Sequence, residues 1–197
     1  AELSRANRKL AAQANLDGLT GLFNRRYMDQ RLDELWAVLS REAAPCGLLM
    51  VDVDHFKRYN DRYGHLLGDD ALRQVAGALN RVVEGANAEG LREAFVARYG
   101  GEEFALILPS TPRSGAMTFA RALGQTLRNL AIAPPASPVA GFVTPSGGIT
   151  TCVPDDATSA ESMLMRADQA LYAAKAQGRD RFFSFEMQMD TVEQRHG

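Results

Sequence analysis

An alternating α and β domain, its sheet covered by helices, is expected from three features of this chain. The run Leu48-Leu49-Met50-Val51 has no polar alternation and reads as a strand buried on both faces. Three apolar stripes recur at helical spacing: Met28, Leu32, Leu35 and Leu39; Leu72, Val75, Leu79 and Val82; and Leu164, Ala167, Leu171 and Ala174. Between two aromatic and β-branched segments, 95–99 and 104–108, Gly100-Gly101 reads as the turn of a hairpin.

Taken in order, residues 1–14 read as a polar helix without a cap. Leu3 and Leu10 lie one heptad apart with Ala6 between them, which fits either the tail of a coiled coil from an upstream region or a frayed, solvated helix. Ala1 is not an initiator methionine, so the chain is expected to be the end of a larger protein. Residues 15–186 are expected to form one folded domain, with 187–197 a tail. The first stripe makes a helix, and the buried strand follows and ends at Asp52. A short helical segment begins at His55, with Asp54 either its N-cap or a metal ligand. The second stripe gives a long helix, and after the hairpin another helix runs from about Pro112 to Leu130. The cluster Pro134-Pro135-Ala136-Ser137-Pro138 ends regular structure. Residues 139–152 read as a hairpin or a bent strand, the third stripe as the last helix, and residues 182–185 as a last short strand.

Composition excludes several classes of function. With 197 residues, 46% of them hydrophobic, the chain can bury one sizeable core. A net charge of -2 lacks the basic excess of a nucleic-acid groove. The two cysteines, Cys46 and Cys152, lack metal-ligand spacing and suggest no disulfide scaffold, which fits a reducing cytosol. His55, His65 and His196 are too few for a Cys/His zinc site. No apolar run approaches the length of a bilayer and no signal peptide is evident, so a cytoplasmic location is expected, as the cytoplasmic end of a larger sensor if one precedes it.

Chemistry is carried by carboxylates. Gly100-Gly101-Glu102-Glu103-Phe104 places two adjacent acids on a glycine turn, where a ligand can approach the backbone closely. Alone, this string would read as a hairpin with a solvated acidic tip. Asp52 changes that balance: a charge at the end of a central strand is costly unless it is paired or bound to a metal.

Four blocks in order, nearly spanning the chain, resemble the GGDEF domain of diguanylate cyclases in its GGEEF variant. They are Asp17-Gly18-Leu19-Thr20-Gly21-Leu22-Phe23-Asn24-Arg25-Arg26; the segment from Asp52 to Asp61 continuing to Gly68-Asp69; the GGEEF turn; and the stretch from Ala167-Asp168 to Arg181. The resemblance implies an α+β, palm-like nucleotidyl-cyclase fold, with a central, mostly antiparallel sheet flanked by helices and an N-terminal signalling helix ahead of it. The activity it implies is condensation of two GTP into cyclic di-GMP, with magnesium or manganese as cofactor, two ions per active site, across a two-fold homodimer.

By resemblance, the metal ligands are Asp52, the Val53 carbonyl, Glu102 and Glu103. Glu102 is also the candidate acceptor of the hydroxyl proton, and Glu102, Glu103 and Lys175 form the catalytic set. Asn60 and Asp69 match the residues that read guanine, whose N1 and exocyclic amine are donors that an Asp can accept. Phe56, His65, Gly100 and Gly101 are expected at the substrate, although a His at a helix start is also an ordinary surface residue. Lys57 matches a phosphate contact, and Lys175 with Arg179, one helical turn on, matches the triphosphate pair. The same two cations would also suit a helix C-terminus. Residues 17–26 are expected to join the signalling helix to the domain, with Asp17 pairing Arg25 or Arg26.

One departure stands out. Many family members carry an RxxD product-binding inhibitory site, and here its Arg and Asp positions are Leu91 and Ala94, with Arg92 one position off. Feedback by cyclic di-GMP is therefore expected at the GTP site. Two other readings are a catalytically silent GTP- or cyclic di-GMP-binding module and a single-nucleotide cyclase. The filled metal and phosphate positions weigh against the first, and the guanine pair against the second.

Overall fold

The computed structural model describes residues 14–91, 93–132 and 143–185. The expected N-terminal helix, Arg92, the proline cluster and the C-terminal tail fall outside these residues. The described elements are β1 (Phe23–Asn24), α1 (Arg25–Glu42), β2 (Cys46–Val53), α2 (Phe56–Tyr63), α3 (His65–Ala88), β3 (Phe95–Gly100), β4 (Glu103–Pro109), α4 (Arg113–Asn129), β5 (Pro145–Cys152), α5 (Ala160–Ala176) and β6 (Phe182–Ser184).

The strands form one sheet in the order β1-β3-β4-β2-β5-β6. Its four inner strands pair antiparallel, and the short edge strands β1 and β6 pair parallel to their neighbours. This is the expected α+β architecture. All eight residues of β2 are buried, as its unbroken apolar run predicts. Successive side chains of a strand point to opposite faces. Leu49, Val51 and Val53 therefore enter the core beneath α3 and α4, while Cys46, Leu48 and Met50 enter the one beneath α1 and α5.

The helix stripes face these cores. Met28, Leu32, Leu35 and Leu39 are all buried; Val82 and Leu164 are only partly so, at the margins of their clusters. Local signals set the ends. Asn24 caps α1 by accepting from the Tyr27 N–H at 3.0 Å, and Ser159 and Ser162 form a reciprocal capping box at α5. From residue 145 onward the 139–152 segment is a single strand paired with β2, and its first residues lie outside the described set.

Two features of β5 bear on the site. A side chain at Gly148 would collide with the α5 backbone at Ala167 O and Leu171 N, so α5 lies directly on the strand. At the far end, Cys152 is the register partner of Cys46 on β2, with no disulfide between them. Burial pushes the Cys46 thiol up to about 12. Among the described residues, no helix is long and apolar enough to cross a membrane.

Candidate active site

The antiparallel register of β2 and β4 makes Asp52 the direct neighbour of Glu103. The hairpin that carries the two glutamates shifts register between Arg98 and Gly100, and Gly101 turns through a positive φ of 51°. The Val53 N–H donates to the Glu102 carbonyl at 3.3 Å, holding the turn against the end of β2. From the other side, α5 brings Lys175 Nζ to 2.8 Å from Asp52 Oδ2.

Asp52 is 5% exposed. Burial pushes its carboxyl up to about 6; the contact with Lys175 opposes this, and the charges of Glu102 and Glu103 reinforce it. Burial also raises Glu103, opposed by Lys175 and reinforced by Asp168 and Glu102. One ammonium thus pairs with Asp52 while the charges of Glu102 and Glu103 act on it from nearby, and added positive charge would relieve that excess.

Among the described residues, no three His, Cys, Asp or Glu side chains stand close enough to hold a metal by themselves. The donors at this point are Asp52, Glu102, Glu103 and the Val53 carbonyl, all hard oxygens. That set suits magnesium, which takes one or two carboxylates and completes its shell with water and phosphate oxygens. A pH dependence follows. With its folded pKa raised, Asp52 contributes stability that is fully present below the ordinary carboxylate range and is lost as pH rises through about 6. Magnesium competes with that proton, so the rise in Tm on adding magnesium is expected to be small near pH 5 and to grow toward about pH 7.5. A rise independent of pH, read by thermal melting, would place the ion elsewhere.

The expected guanine contacts lie on α2 and α3. Asn60 Oδ1 is buried without a hydrogen-bond partner among the described residues, packed where Gly68 has no side chain. A Cβ at position 68 would strike that oxygen, so the carboxamide needs a glycine beside it. Asp69 follows directly and is half-buried, Phe56 is buried, and Lys57 and His65 are exposed. His65 opens α3 without a capping bond.

Three expectations need correction. Asp54 does not cap α2: His55 occupies the N-cap position, left-handed at φ 57° and without a side-chain capping bond, while the Asp54 carboxylate points back to Thr144, Ser146 and the Asp180 N–H. Arg179 is not a further turn of α5, because the helix ends at Ala176 and Arg179 lies in the turn beyond, at φ 63°. Asp17 pairs with neither Arg25 nor Arg26 but with Arg98, at 3.1 Å. Burial acts to raise the Asp17 carboxyl, but hydrogen bonds from Thr20 and Arg98 outweigh it and hold it below the ordinary range. Arg98 also donates from Nε and Nη2 to the Gly101 carbonyl, at 2.9 and 2.7 Å. One guanidinium therefore joins the segment after residue 14 to the glycine turn. The sequence signal for it was its place on a hairpin arm, two residues before Gly100.

The family model described as "Diguanylate cyclase, GGDEF domain" matches residues 14–181, taking in every element that builds this cluster. The chain belongs to the GGDEF family. Diguanylate cyclase DgcP of Pseudomonas aeruginosa is 40% identical over 173 residues, covering 86% of this chain and 24% of that protein. Diguanylate cyclase VdcA of Vibrio cholerae is 37% identical over 185 residues, covering 91% of this chain and 50% of that protein. The chain thus spans half or less of the length of these curated relatives. Among solved structures, the coiled coil and GGDEF domain of DgcB from Caulobacter crescentus, in complex with c-di-GMP, matches with a TM-score of 0.82 at 32% identity. It covers 93% of this chain and 92% of that one. As a GGDEF domain, this chain carries Leu91 and Ala94 where the inhibitory Arg and Asp are expected. Leu91 packs against the core and Ala94 is 5% exposed, so neither offers a polar side chain.

Proposed function

We propose that residues 15–186 are the catalytic domain of a diguanylate cyclase, with 1–14 as its signalling helix and 187–197 as a tail. The observation that carries this reading is the contact of Lys175 with Asp52 at the end of β2, beside Glu102 and Glu103, in a chain whose relatives are named diguanylate cyclases.

Members of the family depend on a divalent metal. Asp52, the Val53 carbonyl, Glu102 and Glu103 would hold two magnesium or manganese ions, which neutralise phosphate charge and favour the alkoxide form of a ribose 3′-hydroxyl. The protein groups do the rest. Asn60 and Asp69 orient guanine, and the aromatic face of Phe56 lies beneath. Lys57, Lys175 and Arg179 bind the triphosphate, Arg179 by its planar fork and the lysines as point charges. Gly100 and Gly101 leave open space beside their backbones, through which phosphate oxygens can approach. His65 contacts the substrate from the start of α3. Glu102 accepts the 3′-hydroxyl proton as that oxygen attacks the α-phosphate of the second GTP, and pyrophosphate leaves.

Each domain holds one GTP, so two copies must face each other across a two-fold axis for mutual attack. We place the domain in the cytoplasm, where GTP is made. Feedback by cyclic di-GMP falls on the GTP site, because the RxxD positions are apolar.

The test is to incubate the purified chain with GTP and magnesium and measure cyclic di-GMP and pyrophosphate. Turnover per protomer is expected to rise with protein concentration, and added cyclic di-GMP to compete with GTP. GTP binding without product would make the chain a silent nucleotide-binding module. Inhibition that is noncompetitive would place a product site elsewhere.

A further inference from the structure

Asp54 carries one of the most enclosed charges among the described residues, its side chain 1% exposed. A carboxylate at that depth is costly unless its oxygens are met. Here Oδ1 accepts from Ser146 Oγ at 2.7 Å, and Oδ2 accepts from Thr144 Oγ1 at 2.8 Å and from the Asp180 N–H at 3.0 Å. Arg179 Nε stands 3.9 Å from Oδ1. One side chain thus joins the end of β2, the start of β5 and the turn that follows α5.

That turn is conformationally unusual. Gly178, Arg179 and Asp180 follow one another at φ 112°, 63° and 47°, all left-handed. Only glycine takes this region freely, so two side-chain-bearing residues in succession persist only where their surroundings hold them. The holding bonds run from the Arg179 N–H to Ala174 O at 3.0 Å, from the Asp180 N–H to Asp54, and from Arg128 to the Asp180 carboxylate at 3.1 Å. Of these, the bond to Asp54 ties the turn to the strand that carries Asp52. Arg179 is only loosely paired at 3.9 Å and 42% exposed, so most of its guanidinium donors remain available.

We propose that Asp54 is a positioning residue for GTP, whose carboxylate fixes the 178–180 turn so that Arg179 is presented beside Lys175. This rests on the reading of Arg179 as a triphosphate contact. Asp54 itself touches no substrate; it acts through Arg179.

Asp54→Asn separates this role from a purely structural one. The amide oxygen can still accept from the Asp180 N–H and the Thr144 hydroxyl, and the Ser146 hydroxyl can rotate to accept from the new NH2 group, so the fold retains its hydrogen bonds. What is lost is the negative charge, which makes the bond that holds the Asp180 N–H a strong, charge-assisted one and which faces Arg179. The KM for GTP is expected to rise about tenfold, with kcat falling less than about threefold. Arg179→Ala should raise KM in the natural chain and have little further effect in the Asp54→Asn chain, since both act through one group. A lowered Tm with unchanged KM would overturn the proposal, as would full additivity of the two substitutions. If Arg179→Ala alone leaves KM unchanged, the phosphate reading of Arg179 fails; if it raises KM while Asp54→Asn does not, only the Asp54 role fails. Should Asp54→Asn not fold, Thr144→Val carries the test by removing one donor that orients the carboxylate. A raised KM at unchanged Tm then supports the proposal, and an unchanged KM overturns it.

Discussion

Replacing Glu102 with alanine is expected to lower kcat at least about a thousandfold while leaving Tm unchanged or slightly raised. The substitution removes a candidate metal ligand and the proposed acceptor of the 3′-hydroxyl proton together. It spares the backbone, because the bond that ties the turn to β2 runs from the Val53 N–H to the Glu102 carbonyl and not to its side chain. The sign of the stability change comes from Asp52, whose carboxyl is held up in part by the Glu102 charge. Without that charge Asp52 ionises more readily, and the crowding of carboxylates around Lys175 eases. The measurement is single-turnover product formation at saturating magnesium, beside a thermal melt. Substantial residual turnover would remove Glu102 from the chemistry, and lost turnover accompanied by unfolding would make its role structural.

Gly148→Ala should produce the largest loss of stability, although Gly148 has no chemical role. The added carbon would meet the carbonyl of Ala167 and the amide of Leu171, which are backbone groups and cannot swing aside as a side chain can. Either α5 lifts from the sheet or β5 bends, at a cost of about 3 kcal/mol, the upper end for overpacking. For a chain of this size that corresponds to a Tm lower by about 6–12 °C. Lifting α5 also draws Lys175 away from Asp52, so activity should fall even where the variant is folded. A Tm within a degree or so of the natural chain would show that the helix is less tightly seated on the strand.

What could be read from the sequence was local. The unbroken apolar run gave β2 because burial on both faces leaves no polar position, and the stripes gave the helices because a period near 3.6 has few other physical causes. The glycine turn and its flanks gave the β3–β4 hairpin. Two of the corrections involve partners distant in sequence, and one a local helix end. Asp54 looked like a cap because capping is a rule about the next three residues, whereas its carboxylate is claimed by Thr144, Ser146 and Asp180. Arg98 was passed over in favour of Arg25 and Arg26 because chain proximity favoured those two, while the fold brings the β3 arm to Asp17. Arg179 fits the spacing of a further turn of α5, yet Gly178, just past the C-cap Gln177, is a legible stop and takes φ 112° where the helix ends.

The facing pair Cys46 and Cys152 gives the sheet a chemical clock. Thiols react with alkylating reagents as thiolates, and a Cys46 thiol pushed up to about 12 in a fully buried site is almost silent at neutral pH. Its labelling rate in the natural chain therefore measures how often the core beneath α1 and α5 opens at this end of β2. Cys152, half-buried on the adjacent strand, serves as the reference for reagent access. The strand that holds Asp52 at one end thus reports, from the other, the opening of the core that α5 covers.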